Sequence, residues 1–132
     1  MKSIVITIFI ILITSGCSIF LPVFCSNEVI QSVISPDKKY KLVIFNRNCG
    51  ATTGFSTQIS ILNKNFSLKN EGGNIFIADD NHGEVLLTKN KALPIQVTWV
   101  SDREVFIKYG EKVRTFQKKD RFKGIKINYS QF

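Results

Sequence analysis

Two short stretches hold side chains that could do chemistry. NCGATTG, residues 48–54, sets Cys49 beside the hydroxyls of Thr52 and Thr53, and ADDNHG, residues 78–83, gathers Asp79, Asp80 and His82. A cysteine nucleophile needs an imidazole or similar base within hydrogen-bond reach, and His82 is the sole histidine of the chain. Cys49 with His82 as its base therefore defines a hydrolase reading, for which the sequence offers no residue to orient the ring. GATTG also invites comparison with a phosphate-cradling loop. It lacks the Gly-Lys-Ser/Thr ending and runs into a strand pattern where that mechanism needs a helix N-terminus. Asp79-Asp80-Asn81-His82 lacks the alternating spacing and distant Glu of a calcium loop, and zinc wants three or four ligands. Asp and Asn also populate turns simply because their side chains bond nearby backbone. No metal, no cofactor and no catalytic residue is assigned on this reading. Thr52, Thr53, Asp79, Asp80 and His82 are retained as a possible binding site.

The chemistry open to Cys49 depends on where the chain resides. The first 25 residues carry one charge, Lys2, and residues 4–13 (IVITIFIILI) are apolar except for Thr7, the layout of a secretory segment. TSGC at residues 14–17 reads as a lipobox in which Cys17 becomes the lipidated first residue of the mature protein. Thr14 stands where Leu is usual, and SIFLPVF after Cys17 stays apolar where a polar tether is common. Read without cleavage, residues 4–25 are about the ~20 residues that span a bilayer. Ordinary cleavage and release is the third outcome. Each of the three puts residues 26–132 outside the cytoplasmic membrane, and the leading expectation is a membrane-anchored, extracytoplasmic lipoprotein. If lipid consumes Cys17, then Cys25 and Cys49 are an even pair in an oxidising compartment, where a disulfide is the default rival to the nucleophile. Closing a loop of about 24 residues would add on the order of 3 kcal/mol.

The chain has 18 Lys and Arg against 10 Asp and Glu, a net charge of +8, or +7 without Lys2. That surplus suits anionic envelope components such as headgroups or wall polymers. The densest cluster, Lys118, Lys119, Arg121, Lys123 and Lys126, also has the form of an ordinary solvated surface. Nucleic acid is not expected as a partner of an exported chain.

The elements that must position these residues are strands. In YKLVIFN both alternating sets are largely apolar, as in a central strand, whereas STQISIL alternates as a half-buried antiparallel one. NIFIAD, IQVTWV, VFIKY, VRTFQ and GIKINY follow, and EVIQSVI adds an eighth candidate. Ser35-Pro36-Asp37, Asn70-Glu71-Gly72-Gly73, Asn81-His82-Gly83 and Tyr109-Gly110-Glu111 punctuate them as turns. The prediction is an all-β domain over residues 26–132, a small antiparallel β-sandwich or open barrel of about seven or eight strands after an N-terminal apolar segment, residues 1–25. SPDKKYKLVIF and SDREVFIKY echo the turn-and-strand unit of exported propellers, yet the chain has room for only about two blades where a propeller closes with at least four. Trp99, Phe106, Tyr109, Phe116 and Phe122 are spaced as strand residues and are expected in the core, with an exposed aromatic row for glycan stacking as the alternative.

NCGATTGFSTQISIL, NEGGNIFIADDNHG and CSNEVIQSVISPDKKYKLVIF together resemble an uncharacterised family of small exported bacterial proteins, many with the look of lipoproteins. The resemblance runs from about Cys25 to Tyr129. It implies a cysteine near the start of the exported part and another before Gly-Ala-Thr-Thr-Gly, which Cys25 and Cys49 match, and so favours their pairing. Asn48 departs from the family's pattern, where Asp commonly precedes the cysteine. The resemblance implies no activity. The expected function is a non-enzymatic cell-envelope protein that binds or supports another envelope component. A hydrolase around Cys49 and His82 and an anionic-polymer or glycan binding module are its alternatives.

Overall fold

The computed structural model describes residues 24–50 and 54–132. The readings of residues 1–23, including lipidation of Cys17, and of Thr52 and Thr53 lie outside the described residues. Nine strands form two sheets, and no helix occurs among the described residues. In chain order they are β1 (Ser26–Ile34), β2 (Tyr40–Asn48), β3 (Phe55–Asn63), β4 (Phe76–Asp79), β5 (Ile95–Ser101), β6 (Glu104–Tyr109), β7 (Arg114–Lys118), β8 (Arg121–Phe122) and β9 (Ile125–Gln131). The first sheet runs β1-β2-β3-β4-β7 and the second β5-β6-β9-β8.

The all-β sandwich expected from the alternation is therefore present, with two differences. The strand β8 is two residues long, too short to carry a period, and escapes a reading based on alternation. Pairing is antiparallel throughout except between β6 and β9, which run parallel in the register Val105↔Ile127 and Ile107↔Tyr129. The chain between them crosses to the first sheet to form β7 and returns, so β9 meets β6 from a crossover and not from a hairpin.

The period-two residues of both sheets meet in one core. Leu42 and Ile44 stand opposite Ile61 and Ile59, and Phe76 and Ala78 continue that face. Val105, Ile107, Ile125 and Ile127 close it from the second sheet. Phe76 and Tyr109 of this core and the half-buried Tyr129 packed against it form an aromatic trio, with centroids 5.4, 6.0 and 6.4 Å apart. Trp99 and Phe122 pack on this core as expected, whereas Phe106 and Phe116 are exposed on different sheets, so the expectation of burial fails for these two and they form no common row.

The apolar second face of β2 is also buried. Val43 and Phe45 pair with Ser60 and Gln58 on the outer side of the sheet, and the 64–74 connection folds back over them. Gly73 N donates to Gln58 Oε1 at 2.6 Å and Asn74 N to Ser60 Oγ at 3.1 Å. The Asn74 side chain then acts as a strand partner: its Oδ1 accepts from Ile61 N (2.8 Å) and its Nδ2 donates to Ile61 O (2.9 Å). Gly73 fits because a Cβ there would meet the carbonyl oxygens of Phe76 and Ile59 at 2.8 and 2.9 Å, closer than carbon tolerates.

Strand register separates two ends of the sandwich. Ser26 pairs with Asn48, so Cys25 and Cys49 fall opposite each other beyond the last rung of the first hairpin, and they are joined by a disulfide. The same end carries Gly50, Gly54, the 80–94 connection and the turn that begins β7. The opposite end carries the 35–39, 101–104 and 123–124 turns, which meet where the Arg103 guanidinium lies 6.0 Å from the Tyr40 ring.

Candidate functional site

At the disulfide end a cleft of about 530 Å³ opens between the start of β3 and the 80–94 connection. Asp79, Asp80 and His82 line one wall, Gly54 and Phe55 another, and Lys91, Leu87 and Arg114 complete it over a floor of Thr57 and Leu93.

The floor is built by buried polar bonds. Asn46 and Thr57 are neighbours across β2 and β3, and Thr57 Oγ1 donates to Asn46 Oδ1 at 3.0 Å while accepting from Leu93 N at 2.9 Å. Asn46 Nδ2 donates to Asn90 O at 3.0 Å. A polar pair at the end of the sheet's apolar inner face thus fixes the 88–93 turn, which carries Lys91 at φ 56° to the cleft. Burial of these groups costs nothing in lost hydrogen bonds, since no buried side-chain nitrogen or oxygen among the described residues lacks a partner.

The acidic wall is a left-handed turn. Asn81, His82 and Gly83 have φ of 51°, 58° and 85°, a run that Asn and Gly tolerate and that few side chains adopt. Asp79 Oδ1 caps it by accepting from Asn81 N at 2.9 Å. Arg114, opposite Asp79 in the β4–β7 register, grips the same carboxylate with Nε at 3.1 Å and with Nη2. Its Nη1 reaches His82 Nε2 at 3.1 Å. A guanidinium only donates, so Nε2 accepts and the ring proton is placed on Nδ1. The guanidinium also lies 5.0 Å from the Phe116 ring, which accounts for an exposed aromatic on this strand.

Two carboxylates in one cleft thus meet different surroundings. The Arg114 side chain holds Asp79 below the usual carboxylate range against the opposing effect of its partial burial, and the Asn81 N–H adds to the lowering. Arg114 is in turn pushed up by Asp79. Asp80 lines the cleft with no such clamp.

The structure therefore brings Asp79, Asp80 and His82 into one cleft and seats Gly54, next to Thr53, on its rim. It separates Cys49 from a catalytic role: the sulfur is bonded to Cys25, leaving no thiolate for His82 to activate, and His82 is engaged by Arg114. Among the described residues no group of three or more His, Cys, Asp or Glu is placed to hold a metal ion. Sequence reasoning missed Arg114, Lys91 and Phe55, which reach the cleft only through β4–β7 pairing and the loop path. The one-dimensional trace of the floor was Asn46, a polar residue ending an apolar run, whose role shows once Thr57 is known to stand opposite.

Neither a curated protein nor a solved structure matches the chain. The model of the Family of unknown function (DUF5412) matches residues 1–123, a span that includes the apolar N-terminal stretch, both cysteines of the disulfide and every cleft residue named above. The chain belongs to that family of unknown function, DUF5412.

Proposed function

We propose that the protein is an exported, membrane-tethered domain of the cell envelope that works by binding, with the cleft between Asp79–Arg114 and Lys91 as its recognition site. The carrying observation is the Cys25–Cys49 disulfide at the head of the β domain. Disulfides persist in oxidising compartments, and this one directly follows an apolar segment of export type. Lys91 on one side and Asp80, beside the Asp79–Arg114 pair, on the other suit a ligand carrying both signs of charge, with Phe55 and Leu87 as apolar contacts.

Protease treatment of intact spheroplasts producing the full chain with a C-terminal tag tests the reading. The tag is expected to be digested and the undigested protein to sediment with membranes. A tag protected until the cells are lysed, on protein recovered in the soluble fraction, overturns it.

A further inference from the structure

The positive charge of the domain is concentrated at the end opposite the disulfide. Lys38, Lys39, Lys41 and Lys64 border the β1–β2 turn and the end of β3. Arg103 lies on the neighbouring β5–β6 turn, where its carbonyl accepts from Lys126 N at 2.8 Å. Lys119, Arg121 and Lys123 surround the Lys123–Gly124 turn that joins β8 to β9. These nine cations, Lys126 included, meet four acids there, Asp37, Asp102, Glu104 and Asp120, a surplus of five. The other eight Lys and Arg beyond Lys2 stand with six acids, a surplus of two. Two clusters that the sequence keeps apart, around residues 38–41 and 119–126, thus become one pole through the topology.

The pole's cations are held for use outside the fold. Among the described residues the ion pair is Arg114–Asp79, at the other end, so none of the nine forms an ion pair, although Asp37 lies near enough to Lys39 and Arg103 to feel their charge. Two of the four acids have hydrogen-bond partners within the fold: Asp37 accepts from Ser35 Oγ and Lys39 N, and Glu104 from Asn128 Nδ2. Lys38 and Lys123 occupy left-handed positions, φ 59° and 50°, where Asn or Gly would cost less. Lys119 and Lys123 each lie 5.6 Å from the Phe122 ring, and Arg103 rests on Tyr40, so aromatic faces preposition the charges.

The cations are spread over three convex turns from both sheets, an arrangement that a chain of anionic groups can span and a single small anion cannot. They also lie opposite Cys25, the point at which the β domain joins the apolar segment. We infer that this pole docks a linear, phosphate-bearing polyanion of the envelope, reached on the side away from the anchoring membrane. The inference rests on the exported, tethered reading above.

The test titrates the full chain, held in phosphatidylcholine nanodiscs, with poly(glycerol phosphate). Lys38→Glu, Arg103→Glu, Lys123→Glu and Lys126→Glu combined are compared with the equal reversal Lys69→Glu, Lys89→Glu, Lys108→Glu and Lys112→Glu at the disulfide end. The expected result is binding that weakens about tenfold or more in the first variant and far less in the second, and that is lost near 1 M salt, where screening acts over about 3 Å. A milder set, Lys119→Gln, Arg121→Gln and Lys126→Gln, gives the same comparison if four reversals unfold the domain. Absence of binding by the wild type, equal loss in both reversal variants, or preference for phosphatidylglycerol vesicles over the polymer overturns the inference. The protease assay decides tethering separately, so failure of the polymer titration alone removes only the docking pole.

Discussion

At Asp79 two functions compete for one carboxylate. Its oxygens cap the left-handed 81–83 turn and bind Arg114, so the residue is a positioning group for the cleft wall before it is anything else. Because these contacts lower its pKa in the fold, the unfolded chain binds the proton more readily, and the contribution to stability is fully present above the unfolded value. It is lost as pH falls through the folded value. Asp79→Asn should therefore lower stability at neutral pH and flatten the acid limb of a stability–pH profile. An acid limb unchanged from wild type would show that the pair adds nothing. Gly73 makes a second residue-scale prediction. Gly73→Ala forces a methyl against two carbonyl oxygens and should cost about 1–3 kcal/mol in urea unfolding, by the ordinary penalty of overpacking. The sequence marks Gly72-Gly73 as a breaker, but its purpose is a close backbone approach that appears only when β3 and the 64–74 connection are superposed.

The first hairpin is the element on which the account turns. Its register brings Cys25 and Cys49 together at the open end, while Ser35 Oγ, accepting from Tyr40 N, and the Lys38 N to Ser35 O bond close the turn. Replacing both cysteines with alanine should lower stability by about 3 kcal/mol, read from denaturant midpoints, since the loop they close spans 24 residues. The 64–74 connection offers a parallel case. Asn74→Ala leaves Ile61 N and O without their side-chain partner and should cost about 1–3 kcal/mol, with faster amide exchange at Ile61 as the local readout. Elements were the most legible level of the chain. Alternation located the seven or eight candidate strands because a half-buried strand turns one apolar face inward and a central strand buries both. The parallel β6–β9 contact was not legible, because alternation shows which face is apolar and not which strand lies alongside.

Over the whole molecule, the sandwich divides its labour between two ends. The disulfide end holds the cleft and the join to the apolar segment, and the opposite end holds most of the net charge. Part of the cleft was visible beforehand in Asp79, Asp80 and His82, since turn residues cluster locally. Lys91 and Arg114 come from positions 9 and 32 residues beyond His82, the first brought in by the fold of the 80–94 connection onto Asn46 and the second by the β4–β7 pairing. The core joins the ends through Phe76, Tyr109 and Tyr129, where burial drives the Tyr129 phenol well above its ordinary range and its hydroxyl donates to Lys119 O at 2.6 Å. Phe76→Ala should accordingly cost about 3–5 kcal/mol in a denaturant titration. The central claim, that this domain is stapled in an oxidising compartment, is tested most directly by alkylating the full chain inside intact cells and mapping the labelled cysteines by peptide mass. The account predicts that Cys25 and Cys49 take label only after reduction. Label on both without reduction would contradict it.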